Sequence, residues 1–235
     1  MAIAFVSGSA SGSSNPTSGN FPLGAFSNGN VAIFFWWGRV NTKLFTDNSG
    51  GKFTTIYLNT AISGRGALTI LRRVLVTGDV ATDFAWTSND ITNADVIQGT
   101  VVFSGVDTTT PLDAESGTPV EFVNTQSPDP PSVLTVTDQA AVITIFGKNN
   151  DYAASVAAPT SYTIGASAES TAGTDASAGL AYRLGLSIAT EDPGAWTLGG
   201  ATSDDGIVWT GALRPTAGAP SATNPGWVTS RGGWW

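Results

Sequence analysis

Neither cysteine nor histidine occurs in this chain. The first absence rules out a disulfide framework and thiol chemistry, so stability has to come from packing and assembly. The second removes the side chain that most often moves protons near neutral pH. Together they remove the usual ligands of zinc and other transition metals, and no cofactor or metal centre is expected. Charge is scarce as well: Asp, Glu, Lys and Arg make up 12% of the residues, about half the usual share of roughly a quarter.

Only three of the ten basic residues are lysines (Lys43, Lys52 and Lys148), against eighteen acidic residues and a formal net charge of −8. Nucleic acid requires a clustered positive face. The adjacent pair Arg72-Arg73 would be split by strand alternation onto opposite faces of a sheet, so no nucleic-acid partner is expected. Long apolar runs are missing too: none approaches the roughly 18–20 residues of a spanning helix, and no membrane partner is expected. The start, Met1-Ala2-Ile3-Ala4-Phe5-Val6, lacks a basic leader and does not read as a signal peptide.

What is present points to β-structure. A hydrophobic share of 41% over 235 residues suits one large all-β domain. No stretch keeps a 3.6-residue apolar period over three turns, whereas turn signals recur at short spacing. The run Val-Ala-Ile-Phe-Phe-Trp-Trp-Gly-Arg-Val at 31–40 predicts a strand buried on both faces. Further strands are expected at 53–58, 67–76, around Phe84 and Trp86, and at 96–106, 133–137, 140–147, 162–164, 180–188 and 207–213. In 140–147, Val142, Thr144 and Phe146 should share one face, with Ile143 and Ile145 on the other. The stretch 113–131 carries Pro119, Pro128, Pro130 and Pro131 and reads as a long surface connection.

Motifs of catalysis are weak. Asp204-Asp205-Gly206 could be half of a calcium site, but the full ligand loop is missing and it reads as a hairpin turn before 207–213. The four glutamates, Glu115, Glu121, Glu169 and Glu191, fall in expected loops or at strand edges, with nothing to bring two of them across a cleft. No Gly-x-Ser-x-Gly elbow exists. Asn48-Ser49-Gly50-Gly51-Lys52 lacks phosphate-loop spacing and reads as a turn. Trp36, Trp37, Trp86, Trp196 and Trp209 could line a sugar-binding face, but core packing is the expectation. Trp227, Trp234 and Trp235 differ: they lie beyond Pro215 in Pro/Gly/Ala/Ser sequence without strand alternation, and read as an interface segment docking on a neighbouring subunit.

The order of motifs resembles a jelly-roll-like β-sandwich family found among bacteriophage structural (capsid accessory and fibre) proteins and secreted bacterial proteins. An early apolar strand, Val31 to Trp37, precedes the strand at 67–76. The most specific element follows, Gly105-Val106-Asp107-Thr108-Thr109-Thr110-Pro111-Leu112-Asp113. Next come Ser132-Val133-Leu134-Thr135-Val136-Thr137-Asp138, leading into 140–147, and the closing Ala212-Leu213-Arg214-Pro215. The resemblance covers 31–215; Phe34-Phe35-Trp36-Trp37 is bulkier than the family's usual aliphatic run.

The resemblance implies a single jelly-roll-like antiparallel β-sandwich at 21–215, between an N-terminal Ser/Gly-rich arm at 1–20 and a Trp-bearing tail at 216–235. It brings no catalytic motif. The expected function is a non-enzymatic virion protein, a capsid cement or decoration protein or a fibre component, that oligomerises and binds other virion proteins such as the major capsid protein. Its expected location is the extracellular particle, after assembly in the host cytoplasm. The alternative is a carbohydrate- or receptor-binding module, which would require at least two coplanar aromatics at the surface of the main domain.

Overall fold

The computed structural model describes residues 1–40, 42–62, 66–89, 94–151, 155–171, 175–199 and 205–217. Among the described residues the fold is all-β, with one 3₁₀ turn at Ala81–Asp83 and every strand pair antiparallel. The first half supplies β1 (Ala4–Ser13), β2 (Ser18–Asn20), β3 (Val31–Gly38), β4 (Phe45–Asp47), β5 (Thr54–Ile62), β6 (Gly66–Val74), β7 (Ala85–Ser88) and β8 (Val96–Ser104). Five of these form one sheet in the order β1-β8-β3-β6-β5, and the remaining three form a small sheet, β2-β7-β4.

The second half supplies β9 (Leu112–Glu115), β10 (Val120–Phe122), β11 (Val133–Leu134), β12 (Ala140–Lys148), β13 (Val156–Ala157), β14 (Thr163–Ser170), β15 (Ala176–Leu186), β16 (Thr190–Glu191), β17 (Thr197–Leu198) and β18 (Gly206–Leu213). Its main sheet runs β10-β18-β12-β15-β14, with β9 also on β18, and the pairs β11-β16 and β13-β17 stand apart from it. The stretch expected as a bare connection at 113–131 thus contains β9 and β10. The strands on either side of the expected hairpin turn do not pair with each other, since β17 pairs with β13 whereas β18 pairs with β12.

Alternation sorts the side chains into layers. Ile33, Phe35 and Trp37 of β3 meet Ile143 and Ile145 of β12 in a cluster shared by both main sheets. Phe34 and Trp36 point the other way, into an aromatic cluster with Phe21, Phe45, Phe84 and Trp86 beneath the first small sheet. Phe146 likewise packs outward with Trp196, at 4.8 Å and 64° between ring planes. Each half therefore owns an outer cluster and shares the inner one. All of Val31–Gly38 is buried for this reason: it has protein on both faces.

The two halves repeat one another. Trp37 lies opposite Leu68 on β6 and Ile97 on β8, and Gly147 lies opposite Ala178 on β15 and Ile207 on β18, each 110 positions later. At the same shift Ala85-Trp86-Thr87 becomes Ala195-Trp196-Thr197. The Arg39 amide donating to the Asp95 carbonyl (3.0 Å) becomes the Asn149 amide donating to the Asp205 carbonyl (3.0 Å). Arg73, paired with Asp79, becomes Arg183, paired with Glu191.

The Ser/Gly stretch expected as an N-terminal arm is β1, paired with β8 from Ala4 to Ser13. Its small residues permit backbone-to-backbone approach to the opposite sheet: a Cβ on Gly8 would stand 1.9 Å from the Gly165 carbonyl oxygen of β14.

Candidate functional site

Three segments singled out in the sequence, Gly105–Asp113, Ser132–Asp138 and Ala212–Pro215, converge at one junction. Strand β18 ends at Leu213, and the Arg214 amide donates to the Pro111 carbonyl (2.9 Å) while the Arg214 carbonyl accepts from the Asp107 amide (2.8 Å). Val106 and Pro215 form an isolated bridge alongside. Asp107 closes its own turn, its Oδ1 accepting from the amides of Thr109 (2.8 Å) and Thr110 (3.0 Å). Those two amides, Thr110 foremost, hold its carboxyl below the usual carboxylate range.

Asp113 is the centre of the junction. Its buried Oδ2 accepts from the amides of Val136 (2.8 Å) and Thr137 (3.1 Å), and its Oδ1 accepts from the Thr137 hydroxyl. Arg214 Nε stands 3.4 Å from Oδ1 as an ion pair. A carboxylate that takes this many donors fixes the Ser132–Asp138 segment against the end of β9.

Beside this junction the chain leaves the described fold. A pocket of about 230 Å³ is lined by Met1, Ala2, Thr137, Asp138, Gln139, Pro215, Thr216 and Ala217. The Met1 ammonium donates to the Thr216 carbonyl at 3.1 Å. Next to it lies a strip of exposed aliphatic side chains: Leu134 is 57% exposed, Val136 51% and Ile188 60%. Thr135 between the first two is fully buried, and its hydroxyl donates to the carbonyls of Ser187 (2.9 Å) and Ala189 (3.0 Å), which ties the segment holding Ile188 to the one holding Leu134 and Val136.

This strip was not singled out by the sequence reading. Its signal is there, an alternation at 133–137 that puts aliphatics on both faces and a threonine at a buried position.

The other sequence candidates are scattered. Trp36, Trp37, Trp86, Trp196 and Trp209 are all buried, so none of them offers a sugar-stacking plane. Glu115 accepts from the Tyr57 hydroxyl (3.2 Å), and Glu191 takes both the Tyr162 hydroxyl (3.1 Å) and Arg183 (2.7 Å). Burial first, and then the Glu191 charge, push the Tyr162 phenol far above its ordinary value.

Asp205 Oδ1 accepts from the Asn124 amide (3.1 Å), while Asp204 lies outside the described residues. In Asn48-Ser49-Gly50-Gly51-Lys52 the Ser49 amide donates to Asp47 (2.7 Å) and the Lys52 amide to Ser49 (3.0 Å), a closed turn. Lys43 and Lys148 are fully buried and reach backbone carbonyls, Lys43 that of Asn89 and Lys148 those of Asp151 and Gly199.

Among the described residues no three Asp or Glu side chains come together as a metal cluster, and no helix is long and apolar enough to cross a membrane. Trp227, Trp234 and Trp235 lie outside the described residues. Comparison of the chain with protein-family models, with curated proteins and with solved structures finds no match to any of the three.

Proposed function

We propose that this chain is a non-enzymatic structural protein of a bacteriophage particle, a capsid cement or decoration protein or a fibre component, that joins neighbouring subunits. Its residence is then the extracellular particle, assembled in the host cytoplasm, and its partners are copies of itself and other virion proteins such as the major capsid protein. The observation that carries this reading is the strip Leu134, Val136 and Ile188, three exposed aliphatic side chains on two segments tied together by Thr135, next to the point where the Trp-bearing segment departs. The convergence of Asp107, Asp113, Thr137 and Arg214 supports it from another side, because the motifs quoted for the family resemblance meet at this junction.

Within this reading the two main sheets form a single β-sandwich. It is jelly-roll-like in its two facing antiparallel layers, while its winding is its own: residues 4–104 fill one main sheet before 112–213 build the other. Because residues 4–13 are held in β1, joining subunits falls to the C-terminal segment. The test is size-exclusion chromatography with light scattering on the full chain and on a chain lacking residues 227–235, each with and without candidate phage capsids. Oligomers or capsid binding that depend on the deleted segment support the proposal. Monomers indifferent to capsids in both cases overturn it.

A further inference from the structure

We infer that the strip formed by Leu134, Val136 and Ile188 is the acceptor site for the Trp227–Trp235 segment of a second copy of this chain. The inference rests on the structural role proposed above and names the surface that role would use.

Three observations carry it. The first is chemical. The strip exposes three aliphatic side chains by more than half each, and the segment beyond Pro215 holds three tryptophans, the residue type most often found at the energetic centre of protein interfaces. Each lacks what the other supplies.

The second is positional. Ala217 lines the pocket together with Thr137, which follows Val136 directly, so the departing chain starts beside the strip. Trp227 is ten steps along the chain from Ala217, and at most ~3.3–3.6 Å per step these span up to about 35 Å. Pro220 and Pro225 favour extended conformations over that distance. A segment that starts next to the strip and can span that distance is long enough to reach a neighbour's strip. The exchange between two copies is then reciprocal and closes on itself.

The third comes from the internal repeat. Shifted by 110 positions, Leu134, Val136 and Ile188 correspond to Gly24, Phe26 and Gly78. Phe26 is packed against the first half's outer cluster, and the two glycines expose no apolar side chain. The first half therefore has no exposed aliphatic side chain at these three positions, although Val76 and Val80 are exposed on either side of Gly78, and the second half departs from the repeat in placing three there.

The absence of native cysteine makes a direct test clean. Chains carrying Ile188→Cys are mixed with chains carrying Trp234→Cys under mild oxidation. The expected result is a disulfide-linked heterodimer of the two variants, in excess over either homodimer. In parallel, self-association is measured by sedimentation equilibrium for the full chain, for Val136→Ser/Ile188→Ser, for Trp227→Ser/Trp234→Ser/Trp235→Ser and for the combination. The strip is exposed, so its serine variants should keep the native circular dichroism. Strip and tryptophan variants should each weaken association by about tenfold or more, and the combination should weaken it no further, as expected of groups that touch.

If the tryptophan variant weakens association and the strip variant leaves it unchanged, this inference fails while the structural role survives. If neither changes it, both fail. A cross-link that forms only within single chains carrying both cysteines places the segment on its own strip and also overturns the exchange between copies.

Discussion

Replacing Asp113 with alanine should open the junction at which Gly105–Asp113, Ser132–Asp138 and Ala212–Pro215 meet. The carboxylate accepts from two backbone amides, those of Val136 and Thr137, and from the Thr137 hydroxyl, all at a buried position. Alanine offers no acceptor, and each buried amide left unpaired costs about 1–3 kcal/mol. Arg214 adds less, because its side chain is 34% exposed and solvent screens the pair.

The expected loss is about 3–5 kcal/mol. Unfolding entropy near roughly 2.1 cal/mol/K per residue gives about 0.5 kcal/mol/K for a chain of this size, so Tm should fall by about 6–10 °C in a calorimetric scan. Asp113→Asn keeps one acceptor but turns an amide group toward the donors, and should fall between wild type and Asp113→Ala. Thr137→Ala removes one hydroxyl donor and should cost about 1 kcal/mol. Hydrogen exchange at the Val136 and Thr137 amides should accelerate in Asp113→Ala ahead of the rest of the chain. A Tm for Asp113→Ala within about 2 °C of wild type would refute the assignment of this carboxylate as the clamp.

Three further outcomes follow from the same geometry. The phenols of Tyr57, Tyr162 and Tyr182 are pushed up, by burial first and, for Tyr57 and Tyr162, by Glu115 and Glu191 as well. A raised folded-state value gives stability that is complete below the unfolded value near about 10 and lost as pH rises above it. Phenolate absorbance from Tyr162, the most deeply buried of the three, should therefore appear together with loss of native circular dichroism above about pH 10; its ionising at that pH in intact protein would contradict it. Gly8→Ala should cost about 3 kcal/mol by forcing β1 away from the Gly165 carbonyl, and Ser9→Ala should be near neutral; equal melting temperatures for the two would show that the sheets do not meet there. Asp95 is fully buried, and among the described residues neither of its carboxylate oxygens has a hydrogen-bond partner. Asp95→Asn, which removes a formal charge from that site, should raise stability by about 1–3 kcal/mol in urea unfolding, whereas a loss would mean that the carboxylate has a partner in solution.

The strands legible in the sequence are those whose residues are themselves good strand formers. The run at 31–40 announced a strand covered on both faces, and β3 is that strand. The face assignment at 140–147 also holds, with Ile143 and Ile145 inward and Val142 and Phe146 outward. What escaped was β1, most of β14 and the start of β15, written in Ser, Gly and Ala. Those residues have low strand propensity, and they are there because the backbones of β1 and β14 approach too closely for larger ones. Propensity speaks for a strand's own side chains and is silent about a neighbour that needs the space. The candidate site was half legible: Gly105–Asp113, Ser132–Asp138 and Ala212–Pro215 were each visible, but only the fold makes Asp113, Thr137 and Arg214 one cluster.

The internal repeat escaped for a related reason, and its departures carry information. Beyond Ala-Trp-Thr, few identities survive the 110-position shift, because the inner layer demands complementarity across the halves rather than likeness between them. Trp37 answers to Gly147 and Trp209 to Gly99, so at two inward positions one half carries the largest side chain and the other none. The Trp37 ring occupies the space above Gly147, where a Cβ would stand 2.4 Å from it, and its indole donates to the Lys148 carbonyl at 3.0 Å. Phe35 does the same over Gly99. Two copies of the first half brought together in this arrangement would set Trp37 against Trp37, with the space over Gly147 lost to a second indole. The packing of the two main sheets against each other is thereby specified as a pairing of unlike halves within one chain.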